Sequence, residues 1–336
     1  MKIDIPIFAA YIKLIMSFTL ISSPLQGFTD FRFRNAFNHY FGGIDTFYAP
    51  YIKLNGVLEI KPAYHRDLLP ENNTVAQLIP QIITNDADEF LFVANYVKNL
   101  GYSELNWNLG CPYPMVTKRG LGSGLICDAP KIDEILHKVH QESDITVSMK
   151  MRMGYEHAEE ILDVFPILEK YPLKNIAIHA RIGKQLYKGG VDLNAFKKCL
   201  ETAKQPIFYN GDITSVAKFK ELQQRFPAID TWLIGRGLIA DPFLPSMIKN
   251  NSNEYPINKL EVLKDFHDTV LAEYAAALSG DHHLLLKMAS YWEYFSNQFS
   301  NPQKTYKKIK KAGSLKNYNA AVAEVFAAEK GMPYKK

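Results

Sequence analysis

Short apolar runs alternating with stretches of helical periodicity constrain this chain more than any other feature. The runs fall at residues 18–22, 46–49, 78–83, 104–109, 145–151, 176–179, 206–209 and 232–234, and helical spacing holds at residues 31–40, 87–100, 128–141, 158–170, 193–203 and 215–225. Strands joined through helices pair in parallel, because each crossover returns the chain to the end from which the last strand began. Eight such units over about 240 residues suit an α/β fold of the closed (β/α)8 TIM-barrel kind better than an open sheet. With 336 residues, 47% of them hydrophobic, the chain can fill a core of that size and a smaller unit besides.

Past residue 252 the alternation stops, and residues 260–278, 283–299 and 320–327 keep helical apolar spacing with no strand between them. The expected organisation is an N-terminal extension over residues 1–15, a catalytic barrel over residues 16–250 and a small all-helical C-terminal domain over residues 251–336. Residues 5–20 are apolar enough to imitate a signal-peptide core, but Lys13 interrupts them and no small-residue cleavage site is clear. Residues 1–15 therefore read as an extension or upstream start, with Met16 as an alternative initiator.

A net charge of +4 permits an acidic partner such as nucleic acid without requiring one. Cys111, Cys127 and Cys199 are widely spaced and odd in number, which suggests neither a disulfide framework nor a zinc site and fits a reducing cytoplasm. His282 and His283 lack metal-ligand spacing to other candidates, so no metal is expected. Neither is a membrane partner, and a monomer is expected.

Polar residues gather where the strands end. Gln81, Asn108, Cys111, Lys150, His179, Asn210 and Arg236 each fall at the C-terminal end of a strand, the face on which barrels of this kind build active sites. The fourth strand and its loop, ELNWNLGCPYPMVTKRGLGSGL over residues 104–125, carry the sharpest signal. Leu105, Trp107 and Leu109 share one face while Asn106 and Asn108 share the other. Cys111 follows at the strand's end among Gly110, Gly120, Gly122, Gly124, Pro112 and Pro114, residues that shape a presenting loop. Most free cysteines are small buried hydrophobes, and that reading suits Cys127 and Cys199. In the loop around Cys111, a thiol with an ordinary pKa of about 8.5 is mostly protonated near neutrality and can give a proton.

Two late glycine loops, Asn210-Gly211-Asp212 and Gly235-Arg236-Gly237, occupy the place of the common barrel phosphate site. Singly each reads as an ordinary turn; jointly they point to a phosphorylated ligand, with Arg236 as a bidentate partner. Lys150 and His179 would read alone as a solvated lysine and a satisfied histidine. On neighbouring strands beside the phosphate loops they suit an electron-rich ring that gains negative charge on reduction. Arg181, Gln185 and Tyr187 follow within reach of a second ligand. Six lysines between residues 304 and 316, including Lys304, Lys307 and Lys308, stand with Tyr306 and no acidic residue, a phosphate-binding edge.

These motifs resemble the tRNA-dihydrouridine synthase family over residues 18–244. LNWNLGCPYPMVTKRGLGSGL is similar to the family's fourth-strand signature with its catalytic cysteine, VSMKMRMG to its lysine motif and IHARIGKQLYKGGVD to its sixth-strand motif, with YNGDI and LIGRGLIADPF completing the set. The resemblance implies FMN held at Pro24, Leu25 and Gln26, by Gln81, Lys150 and His179, and at its phosphate by Asn210, Gly211, Asp212, Gly235 and Arg236. It implies NADPH as reductant, hydride delivered to C6 of a uracil in tRNA, and Cys111 as the acid that protonates C5. Asn108 and Arg181 would orient the base, and Lys304, Lys307 and Lys308 would hold the tRNA. Ser23-Pro24-Leu25 stands where the family usually has alanine, proline and methionine, and Tyr113 where a smaller residue is common. Two other readings are a different FMN barrel, such as a dihydroorotate dehydrogenase or ene-reductase, and a tRNA-binding protein without chemistry.

Overall fold

The computed structural model describes residues 18–330; the expected extension over residues 1–15, with Met16, lies outside them. Its sheet consists of the parallel strands β1 Thr19–Ser22, β2 Thr46–Tyr48, β3 Leu78–Ile79, β4 Gln81–Ile82, β5 Glu104–Leu109, β6 Thr146–Gly154, β7 Ile176–Ile182, β8 Ile207–Asn210 and β9 Thr231–Ile234. The hydrogen-bonded order is β3-β2-β1-β9-β8-β7-β6-β5-β4. Because β3 and β4 are consecutive in sequence, the two ends of that order meet and the barrel closes. Only Pro80 separates them: with no N–H to give, it interrupts the ladder, while its carbonyl still accepts from the Asn106 N–H at 2.9 Å. The eight expected strands are therefore present, the third in two pieces.

Alternation along each strand divides the side chains. Trp107 points outward and meets Phe90 edge-on at 5.7 Å, in the core between strands and helices. Ile21, Tyr48, Ile79, Ala177 and Leu233, contributed by different strands, form a separate apolar cluster inside the barrel. Strands β6 and β7 run three residues past their expected ends. Arg152 and Arg181 lie in these added residues, and both are buried because their guanidiniums find acceptors: Arg152 at the Gly110 and Ile182 carbonyls, Arg181 at the Gly189 carbonyl and Asp212.

The helix starts were visible because capping side chains mark them: Asp30, Asp86, Asp128, Asp192 and Ser215 each accept a backbone N–H from the first turn that follows. The C-terminal segment forms helices Lys259–Ala277, Asp281–Phe295, Pro302–Lys310 and Leu315–Glu329. The third of these, like Pro62–Leu68, was not foreseen, since each is too short to show a helical apolar period. These helices rest on the first loop of the barrel: Tyr274 donates to Asp30 at 2.6 Å, Lys287 to the Gly27 carbonyl at 2.6 Å, and Tyr291 to the Phe28 carbonyl. Among the described residues no helix is long and apolar enough to cross a membrane, and no group of three metal-ligating side chains is assembled.

Candidate active site

Cys111 sits just past the end of β5, 8% exposed, against Ile83, Val116 and Leu121. Its backbone is held from both sides. The Asn108 side-chain Oδ1 accepts from the Gly110 and Cys111 N–H groups at 2.9 Å each, and the Cys111 main-chain carbonyl accepts from the Ser123 N–H at 3.0 Å and hydroxyl at 3.2 Å. Gly122 makes the second contact possible: its φ is +57°, and a Cβ there would stand 2.5 Å from the Cys111 carbonyl oxygen. The thiol faces the Tyr51 hydroxyl, with 3.7 Å between oxygen and sulfur. Burial, reinforced by the neighbouring Cys111, pushes the ionisation of Tyr51 upward, so that hydroxyl keeps its proton at neutral pH.

Lys150, His179 and Arg152 close the far side. Burial first, then the Arg152 charge, pulls the Lys150 ammonium down to about 7. His179 is buried among Arg152, Lys150, Arg181 and Arg236, which with desolvation hold it well below its ordinary value and therefore neutral. The Arg152 guanidinium, brought down to about 10 chiefly by burial, lies over the Tyr187 ring at 5.3 Å, and that of Arg236 lies 4.3 Å from the same ring.

Two adjoining cavities open here. The smaller, about 90 Å³, is lined by Cys111, Asn108, Tyr113 and Gln26. A larger cleft of about 730 Å³, a size that accommodates a nucleotide-like cofactor, runs from it to Asn210, Gly211, Asp212 and Gly235. Pro24, Leu25, Lys150, His179 and Arg236 line both. The Asp212 carboxylate is bound by Arg181 at 2.5 Å and Arg236 at 3.2 Å, which offsets its negative charge beside the glycine loops.

Not every expected residue faces these cavities. The Gln81 amide lies beneath, fully buried, bound to Asn106 and Asn108 at 2.7 Å each. Arg181 lines the larger cleft with its guanidinium committed to Asp212 and Gly189. Lys304, Lys307 and Lys308 are exposed on Pro302–Lys310, away from both cavities, and Lys308 pairs with Glu324 of the next helix. Arg152, Tyr51 and Tyr294 line the smaller cavity and were not foreseen. Period-two alternation from Lys150 marks Arg152; Tyr51 follows a strand in irregular backbone, and Tyr294 comes from a helix about 180 residues beyond Cys111, so neither leaves a local signal.

A parallel barrel that gathers a thiol, a lysine and a neutral histidine around one cleft at the C-terminal ends of its strands has the layout of a barrel enzyme. The profile of the dihydrouridine synthase (Dus) family matches residues 20–330. This chain belongs to that family. Among its relatives, tRNA-dihydrouridine synthase B of Pseudomonas putida is 29% identical over 202 residues, covering 59% of this chain and 58% of that protein. The protein of the same name from Pasteurella multocida is 28% identical over 228 residues, 66% of each chain. The tRNA-dihydrouridine(16) synthase of Cupriavidus necator is 24% identical over 238 residues, 68% of this chain and 73% of that one. Among solved structures, an old yellow enzyme homologue from Zymomonas mobilis shares the fold at a TM-score of 0.52 and 9% identity, covering 72% of this chain and 91% of that one.

Proposed function

We propose that this protein reduces the C5–C6 double bond of uridines in tRNA, giving 5,6-dihydrouridine, with FMN as bound cofactor and NADPH as reductant. The observation that carries the reading is the placing of Cys111 at the narrow end of a cleft whose wide end is built from two glycine loops and an arginine. The residues fit the cofactor. A Cβ on Gly235 would meet nothing closer than Ser23 at 3.7 Å, so that loop opens on the cleft, and Lys150 with neutral His179 offers donors to an electron-rich ring. Pro24, Leu25, Lys150 and His179 would hold the ring, and Asn210, Gly211, Asp212, Gly235 and Arg236 its phosphate, with Gln81 fixing the floor. When bound, FMN supplies the hydride that adds to C6 of the uracil, chemistry that no side chain here possesses.

The chain's own residues supply the proton and the geometry. Cys111 gives its thiol proton to C5, so that one hydride and one proton saturate the double bond, and the thiolate recovers its proton from water. Tyr51, still protonated, donates a hydrogen bond to that thiolate. Asn108, with its carbonyl turned to the Cys111 loop and its amide to Gln81, keeps the loop in place beside the base. Arg181 steadies Asp212 and the phosphate loop, a different task from contacting the base. Entry of a uracil requires it to leave its stack, so contacts outside the pocket must hold the RNA. The purified protein should be yellow, and dihydrouridine mapped by mass spectrometry should disappear from tRNA of cells lacking the gene and return on its expression. A colourless protein with tRNA unchanged would remove the proposal.

The helices of residues 251–330 carry the outer contacts in this reading, through Lys304, Lys307 and Lys308. Changing all three to alanine should lower the salt dependence of tRNA binding by about two in the slope of log K against log salt, since each phosphate contact releases about one counterion and Lys308 is already paired with Glu324. A slope equal to that of the native protein would place the tRNA elsewhere.

A further inference from the structure

A file of hydrogen bonds, flanked at Ser148 and Glu104 by the buried Tyr48 hydroxyl, runs through the inside of the barrel and ends at Cys111. At its outer end the Lys174 ammonium donates to the Glu104 carboxylate at 2.6 Å, at the start of β5. The Ser148 hydroxyl of β6 donates to the other Glu104 oxygen at 2.5 Å and accepts from the Asn106 amide at 2.9 Å. The Asn106 carbonyl accepts from Gln81, the Gln81 carbonyl from Asn108, and the Asn108 carbonyl from the N–H groups of Gly110 and Cys111. Glu104, Asn106, Ser148, Gln81 and Asn108 are all buried, none more than 7% exposed.

The two ends allow only one direction. Backbone N–H groups can only donate, so Asn108 must turn its carbonyl to the Cys111 loop and its NH2 to Gln81; the same choice then passes down the amides. An ionised carboxylate can only accept, so Glu104 takes the single Ser148 proton and leaves the Ser148 oxygen to accept from Asn106. Both ends demand the same polarity, and every amide between them meets it.

We infer that Glu104 is a positioning residue for Cys111, setting through Ser148, Asn106, Gln81 and Asn108 the amide orientation that holds the thiol's loop. The inference rests on reading Cys111 as the proton donor, but its test does not depend on catalysis. Glu104→Gln preserves shape and removes the polarity. Lys174 demands the new carbonyl, so the new NH2 faces Ser148, whose proton turns to Asn106. That order opposes the one set by the Gly110 and Cys111 N–H groups, so one link of the file must face donor to donor or acceptor to acceptor, and the grip of Asn108 on the Cys111 loop weakens.

The test is the rate at which iodoacetamide alkylates Cys111 in the purified full chain, followed by mass spectrometry with Cys127 as internal reference. Cys127, expected to be a small buried hydrophobe, is instead exposed and outside the file, and partial desolvation first, then Glu160, pushes its thiol up to about 11. Glu104→Gln should speed alkylation of Cys111 by about fivefold, the factor set by one neutral hydrogen bond, with Cys127 unchanged. In a Ser148→Ala background the same substitution should have no further effect, because the file is already cut. Ser148→Thr, which keeps the hydroxyl, should alkylate as the native protein does, whereas Ser148→Ala alone should be faster. This pair decides the matter should Glu104→Gln fail to fold. An unchanged Cys111 rate in Glu104→Gln, an undiminished effect in the Ser148→Ala background, or equal rates for Ser148→Thr and Ser148→Ala would each overturn the inference. Loss of the proton-donor role shows separately, as normal turnover in Cys111→Ala with this coupling intact.

Discussion

Cys111→Ala is expected to lower dihydrouridine formation by about 100- to 10,000-fold, the range that a positioned general acid contributes. Flavin absorbance and the thermal midpoint should stay close to those of the native protein. The side chain is almost buried, yet its apolar neighbours Ile83, Val116 and Leu121 leave a methyl group well accommodated. The backbone contacts that fix the loop, to Asn108 and Ser123, use the Cys111 main chain and survive the change. The loss should therefore appear in kcat with tRNA binding retained, because the proton is needed only as C5 gains electron density. Turnover at the native rate would exclude the thiol from the reaction and leave Tyr51, which faces the same small cavity, as the group to examine next.

Gly122→Ala should be nearly as damaging to turnover, and it should also destabilise the protein. The positive φ alone costs an alanine about 1–2 kcal/mol. The new methyl would in addition stand 2.5 Å from the Cys111 carbonyl oxygen and 2.9 Å from its Cβ, and the first of these is backbone that cannot turn aside. Either Gly122 or the cysteine loop must shift, and a displacement of about 1 Å at a reacting group is worth roughly 100-fold in rate. Thermal unfolding and mass-spectrometric turnover measured on one preparation separate the two effects. A native midpoint with native turnover would mean that the loop adapts without moving the thiol.

How much of this was legible in the sequence follows from how local each signal is. The alternation of Leu105, Trp107 and Leu109 with Asn106 and Asn108 is a property of adjacent residues, and the structure keeps the two sets on opposite faces. Capping residues are equally local, and the helix starts of the barrel were readable to within two residues, whereas the last helix begins at Leu315, five residues before its expected start. The extra length of β6 and β7 was not legible, because the carbonyls and carboxylate that let Arg152 and Arg181 sit buried in them lie about 8 to 42 residues distant. Gln81 was expected at the cofactor; what could not be read was that both ends of its amide are taken by Asn106 and Asn108, a contact set by strand register. The segment from Lys304 to Lys316 holds no acid, but Glu324, which pairs with Lys308, lies on the next helix, 16 residues along the chain.

The hydrogen bonds that tie Lys287 to Gly27 and Tyr291 to Phe28 join residues about 260 positions apart. The loop they secure, with Pro24, Leu25 and Gln26, forms one wall of the cleft, and Tyr294 of the same helix forms part of another. The loop precedes the helix that fixes it by about 260 residues, so it leaves the ribosome long before its support does. The strands and their crossovers can settle as they appear, since most of their contacts are between neighbours in sequence. The ligand cleft therefore gains this support only after all nine described strands have been made, and a chain halted before residue 281 would have a barrel whose cleft lacks that helix.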